Sequence, residues 1–282
     1  MAAPAQAARR ELRVRAMTHE ADGVLSLRLT PLDPAATLPS WEPGAHVDLE
    51  LPDGSTRQYS LCGDPAAPYW EIAVRHDEAG RGGSAHVHTV VRPGSVLRVG
   101  DPRSAFALAD APEHVFVAGG IGITPLLPMV ARVAADGGRW RLHYVGRTRE
   151  STPFLDRAVL REPGARVHLT AETGRPALAG LLADLPDGAV VYVCGPAAMI
   201  DEARELLAGH PDRLRYELFR APEADPDAES GSFLVRLARS GREVTVPAGG
   251  SLLDSLLDAG VDVLSDCREG ICGSCETKVL AG

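Results

Sequence analysis

The sequence lacks any apolar run approaching the roughly 18 residues that a membrane-spanning helix needs, so no span is expected. Its first residues, MAAPAQAARR, lack the apolar stretch of about 7 to 15 residues that a secretory signal carries. That points to the cytoplasm and to a short tail before Leu12. Positive charge is in deficit, since 29 Lys and Arg against 38 Asp and Glu leave a formal charge of -9. A basic face for nucleic acid or an anionic membrane is therefore not expected. There is no internal repeat and no low-complexity tract. Nor is there an even set of cysteines for a disulfide framework: they number five, and three of them, Cys267, Cys272 and Cys275, crowd near the end. In a cytoplasmic chain such crowding reads as metal ligation.

What is present is a length of 282 residues, enough for two or three domains. Over 1–109 the short runs ELRVRAM, VLSLRLT, HVDLEL, WEIAVRH and VLRVG alternate apolar and polar residues between Pro, Gly and Asp. That pattern predicts an antiparallel sheet or barrel. Over 110–220 it changes to apolar HVFVAGG, a helical stretch from Thr124 to about Ala135, apolar WRLHYVG, then AVVYVCG and a helix from about Ala197 to Ala208. Strand, helix, strand in that order predicts a parallel sheet with crossover helices. Residues 221–231, APEADPDAESG, read as an acidic linker. Residues 232–282 then predict two strands joined at Ser240-Gly241 and a helix from about Ser251 to Ala259, leading to the cysteines.

Several segments carry chemistry. Arg57, Tyr59 and Ser60, in RQYSL at the end of a barrel strand, supply a cation, an aromatic face and a hydroxyl, which suit the phosphate, ring and reactive nitrogen of a flavin. An ordinary strand with an outward Arg is the alternative. The turn Gly80-Arg81-Gly82-Gly83-Ser84 opens a helix, with Ser84 placed to cap it, and reads as an anion site or a plain capped helix. His86 and His88 have no ligand partners nearby and read as helix-surface residues. Strand VFVA runs into Gly119-Gly120-Ile121-Gly122-Ile123-Thr124-Pro125, where glycines let the backbone approach a pyrophosphate and Thr124 can cap the next helix. Pro125 replaces the third glycine of the dinucleotide fingerprint. Cys194-Gly195-Pro196 sits at the carboxyl end of a parallel strand, as a ligand-side residue or a plain buried thiol. Cys267, Cys272 and Cys275 have the spacing C-x4-C-x2-C of the first three ligands of a plant-type 2Fe-2S centre. Zinc is the alternative.

RQYSL, GRGGS, GGIGITPL, CGP, Glu217-Leu218-Phe219 and the cysteine loop occur here in one order and together resemble the phthalate dioxygenase reductase family, which includes vanillate demethylase reductases and reductase modules fused to haem-thiolate monooxygenases. The resemblance implies an antiparallel β-barrel flavin domain, an α/β pyridine-nucleotide domain of the ferredoxin reductase type and a ferredoxin-like (β-grasp) domain. By position, Arg57, Tyr59 and Ser60 would hold the flavin, and Gly82, Gly83 and Ser84 its phosphate. Gly119, Gly120, Gly122 and Thr124 would bind the nucleotide pyrophosphate, Cys194 and Gly195 would sit by the nicotinamide, and Phe219 near both rings. The compact GRGGS turn favours FMN over FAD. Arg147 and Arg149, after the second strand of the nucleotide domain, favour NADPH over NADH, although Glu150 follows directly. The expected role is electron transfer from NAD(P)H through FMN and a 2Fe-2S centre to an oxygenase, separate or fused, from a monomeric chain. The alternatives are an FAD-containing ferredoxin reductase-like enzyme and a non-catalytic redox sensor. A plant-type centre also needs a fourth Cys downstream, and only seven residues follow Cys275. The 282-residue chain as written is therefore expected not to hold a stable cluster, whereas a longer protein would.

Overall fold

The alternating runs form strands in the computed structural model, which describes residues 9–104, 106–219, 231–263, 275 and 277–281. The first sheet has seven: β1 (Arg9–Ala21), β2 (Val24–Pro31), β3 (Ala45–Glu50), β4 (Thr56–Ser60), β5 (Trp70–Arg75), β6 (Val96–Gly100) and β7 (Arg103–Ser104), with helix α1 (Gly83–Thr89) between β5 and β6. Their order is β4-β3-β6-β1-β2-β5, with β7 beside β3. The two ends of this order meet, because Leu61 bridges Ile72 and the Cys62 N–H donates to the Glu71 carbonyl at 2.9 Å. The sheet thus closes into a barrel and leaves no long open edge. Its interior is filled by the apolar half of each run, including Leu12, Val14, Leu27, Leu29, Val47 and Leu49. Each such side chain contributes about 1.5–3 kcal/mol on burial.

The second sheet holds β8 (Glu113–Gly119), β9 (Arg139–Gly146), β10 (Ala165–Leu169), β11 (Val190–Cys194) and β12 (Leu214–Glu217). All its pairs are parallel, in the order β10-β9-β8-β11-β12. Helix α2 (Ile123–Ala135) follows β8, the one-turn helices α3 (Thr170–Thr173) and α4 (Leu178–Leu181) follow β10, and α5 (Ala197–Leu206) follows β11. Strand β8 reads as a continuous apolar run because both faces are covered. Phe116 and Ala118 pack with Leu126, Met129 and Val130 of α2, while Val115 and Val117 pack with Met199 and Ile200 of α5. The chain moves outward from β8 through β9 and β10, then returns to the other side with β11. The carboxyl ends of β8 and β11 therefore flank a topological switch point, where open α/β sheets bind ligands. The α2-side core also takes in Ala21, Val24, Cys62 and Ala73, so barrel and parallel sheet share buried surface.

The chain divides into two compact units with the break after Phe219. In the second, β13 (Phe233–Arg236) pairs antiparallel with β14 (Glu243–Val246) around Gly241 at φ +68°, and α6 (Leu252–Asp258) follows. Ser251 caps α6 by accepting the Asp254 N–H at 3.3 Å, and Val244, Val246 and Leu256 are buried. The expected linker, apart from Gly231, lies outside the described residues. Strands β10 and β12 have no counterpart in the sequence reading. Among the described residues no helix is long and apolar enough to cross a membrane.

Candidate active site at the switch point

Strand β4 brings the first motif to the barrel surface. The Arg57 guanidinium donates to the Thr56 carbonyl at 2.8 Å and to the Arg81 carbonyl at 3.4 Å. A Cβ on Gly83 would lie 2.8 Å from Arg57 Cγ, so Gly83 is what lets the arginine lie directly on the turn. The two segments that the sequence offered separately thus pack against each other. Gly82, at φ +83° with open space beside it, shapes the turn. The expected Ser84 cap is not formed: α1 begins one residue earlier, at Gly83, and the Ser84 hydroxyl accepts the Asp77 N–H at 3.0 Å instead. His88 lies against the Val74 carbonyl at 3.0 Å, with its ring 5.1 Å from that of His76 and tilted 43° to it. Tyr59 packs on the barrel core, and burial pushes its phenol up to about 12 against the pull of Arg57.

On the nucleotide side, β8 ends at Gly119 and a short 3-10 turn, Gly120–Gly122, leads into α2. The glycines divide their work. A Cβ on Gly122 would stand 2.2 Å from the Cys194 carbonyl oxygen, one on Gly119 2.6 Å from Pro196 Cδ, and one on Gly195 3.0 Å from Gly119 Cα. These three let the GGIG and CGP loops close on each other. Gly120 alone of the four has positive φ, +54°, and open space at its Cβ. Thr124 does not cap α2. It is 2% exposed inside the first turn and donates to the Ile121 carbonyl at 3.0 Å, because the preceding 3-10 turn moves the helix start to Ile123. Beyond β9, Arg147 and Arg149 are exposed. Glu150 shares their turn, and its own backbone N–H and the Thr148 hydroxyl hold its carboxyl below the usual range.

One of the places where barrel and sheet meet is polar, with Ser60 of the barrel against Glu217, and Cys194 beside Glu217 in the sheet. Ser60 is 6% exposed, and its hydroxyl donates to Glu217 Oε2 at 3.5 Å, across 157 positions of sequence. Glu217 ends β12 in register with Cys194, which ends β11 fully buried. Burial pushes the Glu217 carboxyl up to about 7, with the Ser60 hydroxyl pulling the other way. Burial, and then the nearby Glu217, raise the Cys194 thiol well above its ordinary value. Phe219, two residues further on, is 39% exposed. Ser60, Cys194 and Phe219 stand out in the sequence through their motifs, whereas Glu217 does not. The available signal was an acid placed at the end of a strand, LRYE, that matches VVYVC in height. In the second unit Cys275 is partly buried, while Cys267 and Cys272 lie outside the described residues.

A closed antiparallel barrel followed by a parallel sheet of this order, with a polar site where they meet, is the architecture of the ferredoxin reductase type. A family profile described as a 2Fe-2S iron-sulfur cluster binding domain matches residues 235–282. The chain is 44% identical over 290 residues to the phenoxybenzoate dioxygenase subunit beta of Ectopseudomonas oleovorans, over 100% of this chain and 89% of that protein. It is 37% identical over 280 residues to phthalate dioxygenase reductase of Burkholderia cepacia, over 96% and 86%. Among solved structures, a phthalate dioxygenase reductase described as modular, for electron transfer from pyridine nucleotides to 2Fe-2S, matches with TM-score 0.75 and 35% identity, over 97% of this chain and 87% of that one. An intact type IV self-sufficient cytochrome P-450 monooxygenase matches with TM-score 0.84 and 42% identity over 97% of this chain, which spans 36% of the monooxygenase. The chain belongs to the phthalate dioxygenase reductase family, the electron-transfer reductases of oxygenases.

Proposed function

We propose that this chain is an NAD(P)H-dependent reductase that binds FMN on the barrel at β4 and α1, and passes electrons to a 2Fe-2S centre in the C-terminal unit and on to an oxygenase component or fused oxygenase domain. The observation that carries it is the meeting of Ser60, Cys194 and Glu217 at the switch point. A bound flavin would supply hydride acceptance from NAD(P)H and one-electron release. The residues fit such a group: Arg57 lies on an open glycine turn suited to a terminal phosphate, and Tyr59 offers an aromatic face beside it. Ser60 and Glu217 can hold one proton between Oγ and Oε2 near neutral pH. Cys194, kept as a neutral buried thiol, would pack behind the ring end of the nucleotide site. Gly120 leaves room for a pyrophosphate at the start of α2. Cys267, Cys272 and Cys275 would be three of the four ligands of a plant-type cluster. A monomer in the cytoplasm is the setting this reading expects.

The test is NAD(P)H-driven ferricyanide reduction by the purified protein, with mass spectrometry of the released flavin. Turnover with FMN supports the reading. Nucleotide binding without turnover would make the chain a sensor, and FAD as the only released flavin would overturn the FMN assignment. Arg57→Ala should lower flavin occupancy at limiting flavin, and unchanged occupancy would remove Arg57 from the site. Arg147 and Arg149 lead us to propose NADPH over NADH, against the opposing charge of Glu150. A kcat/KM ratio tenfold in favour of NADH would reverse that choice.

A further inference from the structure

The geometry points to Arg157 as a positioning residue for the hydride step, acting through Glu71 on the strand end that carries Ser60; this rests on the function proposed above. Arg157 belongs to the parallel-sheet half, in the segment after β9, yet its guanidinium is paired with Glu71 on β5 of the barrel and lies 3.9 Å from Glu20 on β1. The two carboxylates are 2% and 9% exposed, so this is not a solvated surface pair. Glu20 also accepts from the Ser26 hydroxyl at 2.6 Å, and Arg28, 45% exposed, approaches Glu71 at 3.6 Å.

The chain spends conformational energy to place this arginine. Phe154 has φ +64°, the left-handed region that a bulky side chain rarely adopts, and among the described residues it is the one non-glycine there. The turn is held by the Tyr144 hydroxyl, which donates to the Pro153 carbonyl at 3.0 Å, and by the Arg157 N–H, which donates to the Phe154 carbonyl at 3.0 Å. The guanidinium then stands 4.9 Å over the Phe154 ring, which is itself buried in the core that barrel and sheet share. A second bond of the same segment, from the Asp22 N–H to the Glu150 carbonyl at 2.8 Å, joins the halves nearby.

Glu71 is the route from this clamp to the active site. Its carbonyl accepts both the Cys62 N–H at 2.9 Å and the Cys62 thiol at 3.5 Å, and Gly63 packs so closely on it that a Cβ there would be 2.8 Å from Glu71 Cβ. Cys62 is two residues from Ser60. The residue that ties the halves together therefore also closes the barrel where β4 ends. A buried pair is weak evidence of net stability, since apolar replacements often serve as well. Precise placement is what this one supplies, and a misplacement of about 1 Å can cost about 100-fold in rate.

The experiment compares the full chain with Arg157→Met, Arg157→Lys and the double variant Glu71→Gln/Arg157→Met, which leaves no uncompensated buried charge at Glu71. The readouts are the rate of flavin reduction at saturating NADPH, the Kd for NADP+, flavin content, and amide exchange at Cys62 in the flavin-free chain. Arg157→Met and the double variant should each reduce flavin at least tenfold more slowly, with Kd and flavin content within twofold and faster exchange at Cys62. Arg157→Lys should recover part of the rate. If Arg157→Met does not fold, the double variant decides. A double variant within twofold of wild type in rate, or a Kd that rises in step with the loss of rate, would overturn the inference. Wild-type protein that binds flavin but is not reduced by NAD(P)H would instead overturn the function on which it rests.

Discussion

Glu217 is a carboxyl placed where a carboxylate is costly, and that cost gives it a measurable signature. Burial raises it from the ordinary 4.5 to about 7 in the folded chain. As pH rises from about 4.5, the unfolded chain gives up this proton first, while the native chain keeps it until about 7. The stability Glu217 contributes is therefore present below about 4.5, declines across that window and is gone above about 7. In flavin-free protein, Glu217→Gln should gain in Tm relative to wild type as pH climbs from 4.5 to 7, and the gap should then stay constant. A gap that does not change with pH would show that Glu217 ionises as an ordinary surface acid. Ser60 and Cys194 were legible in the sequence because each sits in a local motif. Glu217 was not, because its burial depends on β12 pairing with β11 and on a hydroxyl 157 positions away. Arg157 was less legible still: STPFLDR has no periodicity, and its partners Glu20 and Glu71 lie on strands where an acid reads as solvent-facing.

The loops after β8 and β11 act as one element, and their glycines show how it is built. Adding a methyl at Gly122 would meet backbone, the Cys194 carbonyl oxygen at 2.2 Å and the Gly195 nitrogen at 2.8 Å, so no flexible side chain can give way. Gly122→Ala should cost about 3 kcal/mol or more and weaken nucleotide binding. Gly120→Ala meets nothing within 4 Å and bears only the strain of φ +54°, about 1 kcal/mol. Urea unfolding of both variants checks this, and equal losses would mean that contact between the loops is not what fixes Gly122. In the sequence the glycines after β8 point to pyrophosphate approach and Gly195 to the nicotinamide, because loop-to-loop packing leaves no local trace. The central strands were legible as continuous apolar runs because both their faces are covered. The edge strands β10 and β12 were not, since most of their residues are exposed or only partly covered and no alternation survives in ARVHL or LRYE.

At the scale of the whole molecule, the break after Phe219 separates two kinds of chemistry. The unit up to Phe219 contains the barrel core and both cores flanking the parallel sheet, together with every residue proposed for flavin and nucleotide. Among the described residues its clusters draw on none beyond Phe219, so a chain ending there keeps the apolar surface that those clusters bury. It should fold with a Tm within about 3 °C of the matching transition in the full chain, a shift that corresponds to under about 1 kcal/mol for a unit of this size. Ferricyanide is small and can collect electrons at the flavin itself, so NAD(P)H-driven ferricyanide reduction should stay within about twofold. On the proposed path a one-electron protein acceptor is served through the cluster of the C-terminal unit, so once that cluster has been reconstituted in the full chain, removing the unit should lower transfer to an oxygenase component by at least an order of magnitude. The measurement is both assays on the full chain and on the chain ending at Phe219, with flavin content equalised. A shortened chain that binds flavin but has lost ferricyanide reduction would show that the C-terminal unit takes part in the hydride step, and one that still serves the oxygenase would remove that unit from the electron path.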